Sequence, residues 1–262
     1  MPDDVEGGLR SVATALDLLD CFLTDEELGV SETARRLGVA KSTAHRLLTT
    51  LCSRGLVEQS ASTGKYRLGL HAYELGHLAL ARLQLRQRSV KLLEELREVS
   101  GWTVHLSVAA GPDVLLLERL PTLRGMRVVE EYRRRWPLHV TSSGKAICAF
   151  DPESMQRRID AGFPRYTPDT ITTERQFRAA LDQTRRLGYA TSHGETLPGV
   201  ASVGAPVLDR QGFAIAAISI TGYGVELVGD EDRQARMVVT VAKRLSKAMQ
   251  QGAIASPTDG PL

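Results

Sequence analysis

The sequence predicts an α+β protein in two folded parts: a small helical module closed by a β-hairpin, and a larger domain around an antiparallel sheet. Three observations carry that reading. Two short helical patterns separated by a four-residue turn occupy "VSETARRLGVAKSTAHRLLTTLCSRGLVEQ", residues 30–59. Two alternating runs, "LVEQS" and "KYRLGL", flank the Gly-containing "ASTG". Beyond residue 88, helices mix with hairpin-like strand pairs and do not alternate strictly with strands, which favours an antiparallel sheet.

In "SVATALDLLDCFL", Val12, Leu16, Leu19 and Leu23 recur at helical spacing, Ser11 is placed as N-cap, and "DEELG" ends the pattern. Ser31 is the expected cap of a second short helix with Ala34 and Leu37 one turn apart. Gly38 suits the left-handed position that closes it. A third helix starts near Lys41, buries Ala44, Leu47, Leu48 and Leu51, and stops at Gly55. With the hairpin behind it, the module over residues 1–69 reads as a winged helix-turn-helix. Residues 70–87, "LHAYELGHLALARLQLRQ", are apolar on more than one side, as expected of a linker helix that packs on a second subunit or domain. His71 and His77 on it read as interface or surface residues.

Residues 88–251 form the second domain. A helix over 88–99 ends at Gly101, and strands follow at 102–109 and 114–120, with a weaker one near 126–131. Helices are expected from around Ser143, over 152–161 and over 174–187, then strands at 200–208 and 213–221 and a long amphipathic helix over 230–250. The tail, 252–262, reads as disordered.

At 42% hydrophobic and 24% charged residues, the chain has the composition of a soluble globular protein. No apolar run approaches the ~18 residues of a membrane span, and the acidic start "MPDDVEGG" is no signal peptide. A cytoplasmic protein without a membrane partner is expected. Cys21, Cys52 and Cys148 lie far apart and read as small core residues in a reducing compartment. The net charge of +2 hides a segregation: residues 1–32 hold nine acids and one arginine, a balance of −8, whereas residues 33–67 hold seven bases against Glu58, a balance of +6. Such asymmetry marks a surface for a polyanion, against the plainer reading of clusters on solvated faces.

A helix that enters the major groove needs donors and acceptors on one side of its first turn and apolar residues on the other. "KSTAHRLLTTL" divides this way. Ser42, Thr43, His45 and Arg46 face outward; Arg46 suits guanine or phosphate, and Lys41 suits phosphate. Arg36 in the preceding helix and Lys65 and Arg67 on the wing complete the expected contact set for double-stranded DNA. The competing reading is a helical hairpin whose exposed residues happen to be basic; the wing and the local charge argue against it.

The candidates for an enzymatic second domain are His105, His139, His193 and Glu195. His193 and Glu195 at i, i+2 offer two ligands to one metal, whereas zinc sites take three or four. Cys148 reads as core, and neither a P-loop nor a dinucleotide fingerprint occurs. No catalytic residue, cofactor or metal is expected, and an enzyme on this domain is the remote alternative. The run "EEYRRRWPL", with Arg133, Arg134 and Arg135 beside Glu130 and Glu131, reads as a solvated face or hairpin turn before a DNA or ligand contact.

The quoted segments, with "GKYRLG", "PLHVTSSGKAICAF" and "RRLGYATSHGETLPGVASVGAPVLDRQGFAIAAISITG", resemble the IclR family of bacterial transcriptional regulators in order over residues 9–250. The resemblance implies a GAF-like second domain, a dimer or a tetramer made of dimers, a palindromic operator and a small, often anionic effector. Carried over by position, the effector residues are Ser142 and Ser143 before the "GK" step, Ser192 after "GY", Val200 and Ser202 in the "PGV" stretch, and Ser219 and Thr221 in "AAISITG". Members that bind small oxoacids carry Asp where Ser192 stands, and Ser202 replaces a Cys common in the family. Those departures argue against a glyoxylate- or pyruvate-sized ligand. Without the family, hydroxyls from four segments with Leu117, Met126 and Val200 suit a mostly apolar ligand with one polar end; the alternative is that each hydroxyl satisfies local backbone. A repressor of a catabolic operon is favoured over an activator.

Overall fold

The computed structural model describes residues 9–81, 84–122, 134–224, 227 and 229–251, with backbone only for 77–81. The chain divides at residue 83 into two compact units. The expected strand near 126–131, together with Met126, Arg133 and the tail over 252–262, lies outside the described residues.

The first unit contains α1 (Arg10–Cys21), α2 (Val30–Leu37), α3 (Lys41–Ser53), the strands β1 (Val57–Gln59) and β2 (Tyr66–Leu68), and α4 (Leu70–Ala81). Both expected N-caps shift. The helices begin at Arg10 and Val30, so Ser11 and Ser31 sit inside the first turns, and Leu9 and Gly29 hold the cap positions without a side-chain hydrogen bond. Gly38 does close α2 in the left-handed region, at φ 62°. Leu28 pairs with Tyr66, which ties the approach to α2 onto the wing. The core joins Leu18, Phe22, Leu28, Leu48, Leu51, Val57 and Tyr66. The stripe that revealed α1 packs only in part: Leu19 lies against the core beside the fully buried Leu18, whereas Val12, Leu16 and Leu23 are all more than half exposed.

The second unit starts with α5 (Gln84–Ser100), so the helix expected from 88 begins inside the segment assigned to the linker. It continues through β3 (Thr103–Ala110), β4 (Asp113–Leu120), β5 (Arg135–Pro137), a 3-10 turn (Leu138–Val140), α6 (Ser142–Phe150), α7 (Pro152–Asp160) and α8 (Glu174–Leu187). The last elements are β6 (Ala190–His193), β7 (Val200–Leu208), β8 (Ala214–Tyr223) and α9 (Glu231–Gln251). Among the described residues these strands make one six-stranded sheet in the order β5-β4-β3-β8-β7-β6, antiparallel throughout. Val104, Leu106, Val203, Val207, Ile218 and Ile220 share a core with Leu93 and Leu96 of α5 and Val238 and Leu245 of α9. Ala217 joins a second core with Ile147 and Cys148 of α6 and Phe177 and Leu181 of α8. Period-two alternation thus splits each strand between two helical layers.

Three readings change here. Leu117, expected beside the ligand, is the residue skipped where the β3–β4 register shifts, and it packs with the α5–α9 core. Arg134 and Arg135 are exposed, as expected of a solvated face, but Arg135 lies in strand β5 opposite Leu115 and not in a turn. The stretch after "GY" forms strand β6, because Thr191 and Ser192 pair with Val203 and Ser202 although no apolar alternation marks them.

Candidate functional site

On the first unit, α3 presents Lys41, Ser42, Thr43, His45 and Arg46 to solvent and buries Ala44, Leu48 and Leu51, with Leu47 only partly covered. Its N-cap, Ala40, offers no side-chain acceptor, so the first backbone N–H groups remain for an outside anion. Thr49 and Thr50 donate back to the carbonyls of His45 and Arg46 at 2.9 and 2.8 Å. Among the described residues Lys41, Arg46 and Lys65 make no ion pair. Arg36 stands differently: its guanidinium reaches Asp25 at 2.6 Å and Glu32 at 2.9 Å, and hydrogen bonds to these carboxylates hold its pKa above the ordinary value. Arg67 pairs across the wing with Glu58 at 2.7 Å. A phosphate would compete with these acids for Arg36 and Arg67, whereas it meets Lys41, Arg46 and Lys65 unopposed.

On the second unit, the strand register assembles the expected ligand residues. Ser192 lies opposite Ser202, Ser202 opposite Thr221, and Thr221 opposite Thr103, a hydroxyl row across β6, β7, β8 and β3. The neighbouring row runs from Gly204 through Ser219 and His105 to Arg119. Helix α6 rests its first turn on these rows. A Cβ on Gly204 would fall within 2.9–3.1 Å of the Ser142 and Ser143 backbone, so only glycine admits that approach. Ser143 Oγ then donates to Ser219 Oγ at 2.8 Å. Thr141 caps α6 by accepting from the Gly144 N–H at 2.9 Å.

Some hydroxyls are engaged locally. Ser192 donates to the Val140 carbonyl at 2.9 Å, and Thr221 Oγ1 lies 3.3 Å from His105 Nδ1. Among the described residues Ser142 Oγ and Ser107 Oγ are buried without a partner. Val200 is buried two residues before Ser202 on β7 but pairs with Tyr223, outside the row. Burial, then the charge of Arg119, pushes the His105 pKa down to about 3, so this imidazole is neutral at physiological pH. The arrangement offers hydroxyls, a neutral imidazole and a helix N-terminus to a ligand with one anionic or polar end.

Two features escaped the sequence. Thr103 and His105 extend the rows, and Ser107 follows on the same face of β3 opposite Ala217; their alternation with Val104 and Leu106 was a legible period-two signal. The second is an ion pair between Lys145 on α6 and Glu195 after β6, at 2.6 Å, with side chains only 5% and 10% exposed. A lysine inside a helix buried from Ser142 to Ala149 was its only local sign. Glu195 therefore serves Lys145 while His193 bonds Glu231 at 2.6 Å, so the two candidate ligands of one metal turn to different partners. Burial raises the Cys148 thiol pKa far above its ordinary value, consistent with core.

The chain matches the profile of the "IclR helix-turn-helix domain" over residues 11–61 and that of "Bacterial transcriptional regulator IclR C-terminal" over residues 77–247. The protein belongs to the IclR family. Its IclR character is carried by both units, and it is a DNA-binding transcriptional regulator. It is 34% identical over 231 residues to the glycerol operon regulatory protein of Streptomyces coelicolor, covering 87% of this chain and 91% of that one. An IclR transcriptional regulator of Alicyclobacillus acidocaldarius superposes with a TM-score of 0.80 at 27% identity, covering 92% and 98% of the two chains. An IclR homologue of Microbacterium hydrocarbonoxydans, solved with 4-hydroxybenzoate, gives a TM-score of 0.77 at 26% identity over 91% and 98%. No helix among the described residues is long and apolar enough to cross a membrane.

Proposed function

We propose that this IclR-family protein is a cytoplasmic repressor of a catabolic operon, that it grips a palindromic operator as a homodimer or a dimer of dimers, and that a small carboxylate-bearing or aromatic metabolite releases it. The observation that carries the ligand site is the hydroxyl row under the first turn of α6, with Ser142 Oγ and Ser107 Oγ buried and unpartnered among the described residues. The 4-hydroxybenzoate bound by the Microbacterium homologue supports an aromatic acid as one candidate class. An activator of the same build is the second reading; the exposed face of α3 serves either outcome. No catalytic role is proposed.

Footprinting on the region upstream of the gene tests the DNA side. Arg46→Ala is expected to weaken operator binding by roughly 1–3 kcal/mol and relax specificity at one position, and Lys65→Ala to weaken all sequences alike and lower the salt slope by about one. Protection of no operator-like site by the wild type would sink the regulator assignment for that region.

The apolar residues exposed on the first unit favour a dimer formed through α1 and α4. Leu9, Leu16, Leu70 and Tyr73 are 74%, 58%, 69% and 67% exposed, more than isolated surface residues explain. Leu75→Glu, at a half-exposed position of α4, is expected to shift sedimentation toward monomer and weaken operator binding in parallel. A wild type that sediments as a monomer at micromolar concentration counts against this assembly.

For the ligand, a thermal-shift screen of carboxylates and aromatic acids on wild type and Ser219→Ala is the direct test. A true effector raises the wild-type melting temperature and raises it less in the variant, with a coupling to operator affinity of ~1–3 kcal/mol. Hits that stabilise both proteins equally place the site elsewhere.

A further inference from the structure

Strand β6 pairs with β7 only as far as Gly204, so residues 205–208 of β7 have no strand on their outer side among the described residues. There a groove of about 610 Å³ opens between α9 and the ends of α6 and α8. We propose that this groove is a second ligand site, for a small anionic amphiphile: a single carboxylate on an apolar chain. It shares no residue with the two hydroxyl rows, so it is independent of the effector site proposed above.

The lining fixes the class. Phe150, Leu187, Leu208 and Val239 supply apolar surface that water reaches: Leu187 is 48% exposed and the other three are partly buried. Phe150 and Leu208 stand at the margin of the α6–α8 core and Val239 at that of the α5–α9 core, so neither core takes this surface up. Lys243 and Lys247, one turn apart on α9, are the only charged residues of the lining, and no aspartate or glutamate joins them among the described residues. Both are exposed, and neither ammonium has an ion-pair or hydrogen-bond partner among the described residues. A lysine stem lies along apolar surface while its head stays in water, which puts a positive rim on an apolar trough. An anion seated at that rim keeps part of its hydration, so no unpaired charge is buried. The volume falls in the range of small-molecule sites, about 300–1,000 Å³.

Other occupants use the groove less fully. A cation meets two lysines and no acid. A bare anion such as phosphate uses the lysines and leaves the apolar lining in water. A peptide strand finds no ladder to extend along β7. Pro206 has no N–H to give. The Leu208 N–H donates to Ser246 Oγ at 2.9 Å, and the Leu208 carbonyl accepts from Gln250 Nε2 at 3.2 Å. A carboxylate with an apolar chain satisfies both the rim and the trough.

The test uses the full chain and sodium octanoate, followed by titration calorimetry and saturation-transfer NMR, with 1-octanol and acetate as chain-only and head-only probes. Octanoate is expected to bind saturably, 1-octanol about fivefold more weakly, and acetate not measurably. The double variant Lys243→Gln/Lys247→Gln should weaken octanoate about fivefold, the scale of exposed charge pairs, and leave 1-octanol unchanged. Leu187→Glu, at an exposed position where folding tolerates a charge, should weaken both by about tenfold. Ser219→Ala should bind octanoate as the wild type does. The proposal is overturned by absence of saturable octanoate binding, or by equal affinity for 1-octanol together with no effect of the lysine variant. Loss in Ser219→Ala with retention in Leu187→Glu also overturns it, since the carboxylate would then lie in the hydroxyl rows. A wild type that binds no octanoate, beside a Leu187→Glu variant that sediments as a smaller species, would give the groove to a second copy of the chain instead.

Discussion

Glu195→Leu is expected to cost ~3–5 kcal/mol of the second unit's stability, because it strands the Lys145 ammonium in the interior. That side chain is 5% exposed and its one ionic partner among the described residues is Glu195. Removing one partner of a buried pair leaves an uncompensated charge, and this penalty exceeds the net worth of the pair itself. The double variant Lys145→Met/Glu195→Leu should therefore recover most of the loss, ending near wild type or above it. Urea unfolding read by tryptophan fluorescence isolates this unit, since Trp102 and Trp136, the two tryptophans of the chain, are both buried there. A single variant within about 1 kcal/mol of wild type would show that Lys145 reaches water or loses its proton at little cost.

Gly144→Ala should cost about 3 kcal/mol, the upper end of what overpacking usually imposes. A Cβ there would lie 2.1 Å from the Leu138 carbonyl oxygen and 2.6 Å from the Leu138 Cα. Backbone cannot step aside as a side-chain tip does, so α6 must lift from the turn before it. The displacement would also pull Ser143 from Ser219, and effector binding should fall with stability. Gly204→Ala offers a milder version, its contacts being 2.9–3.1 Å. The order of loss, Gly144 before Gly204, is the measurable claim; equal and small losses in both would mean that α6 slides on the sheet.

Much of the fold was legible because its signals are local. Gly38 and Gly55, both at positive φ, ended α2 and α3 where expected, and the polar face of α3 was set by helical period alone. Each cap was misplaced by two residues because Leu9 and Gly29 fill those positions without any side-chain bond for a pattern to reveal. Strand β6 was missed because "ATSH" has no apolar alternation; its existence depends on β7, which offers Ser202 and Val203 as partners.

The sequence by itself determined most elements and their order, β5 and β6 excepted, and which short stretches could meet a polyanion or a polar ligand. Those properties follow from spacing along the chain: 3.6 residues per helical turn, two per strand repeat, and glycine where φ turns positive. Only the tertiary structure decided which stripe of α1 faces inward, since Leu18 and the Val12–Leu16 side are equally apolar until α3 and the wing choose one. It likewise decided that Ser192, Ser202, Thr221 and Thr103 stand in one row, and that Lys145 meets a carboxylate fifty residues away. Register and buried pairing are set by contacts distant in sequence, and a one-residue slip would send each of those hydroxyls to the opposite face of the sheet.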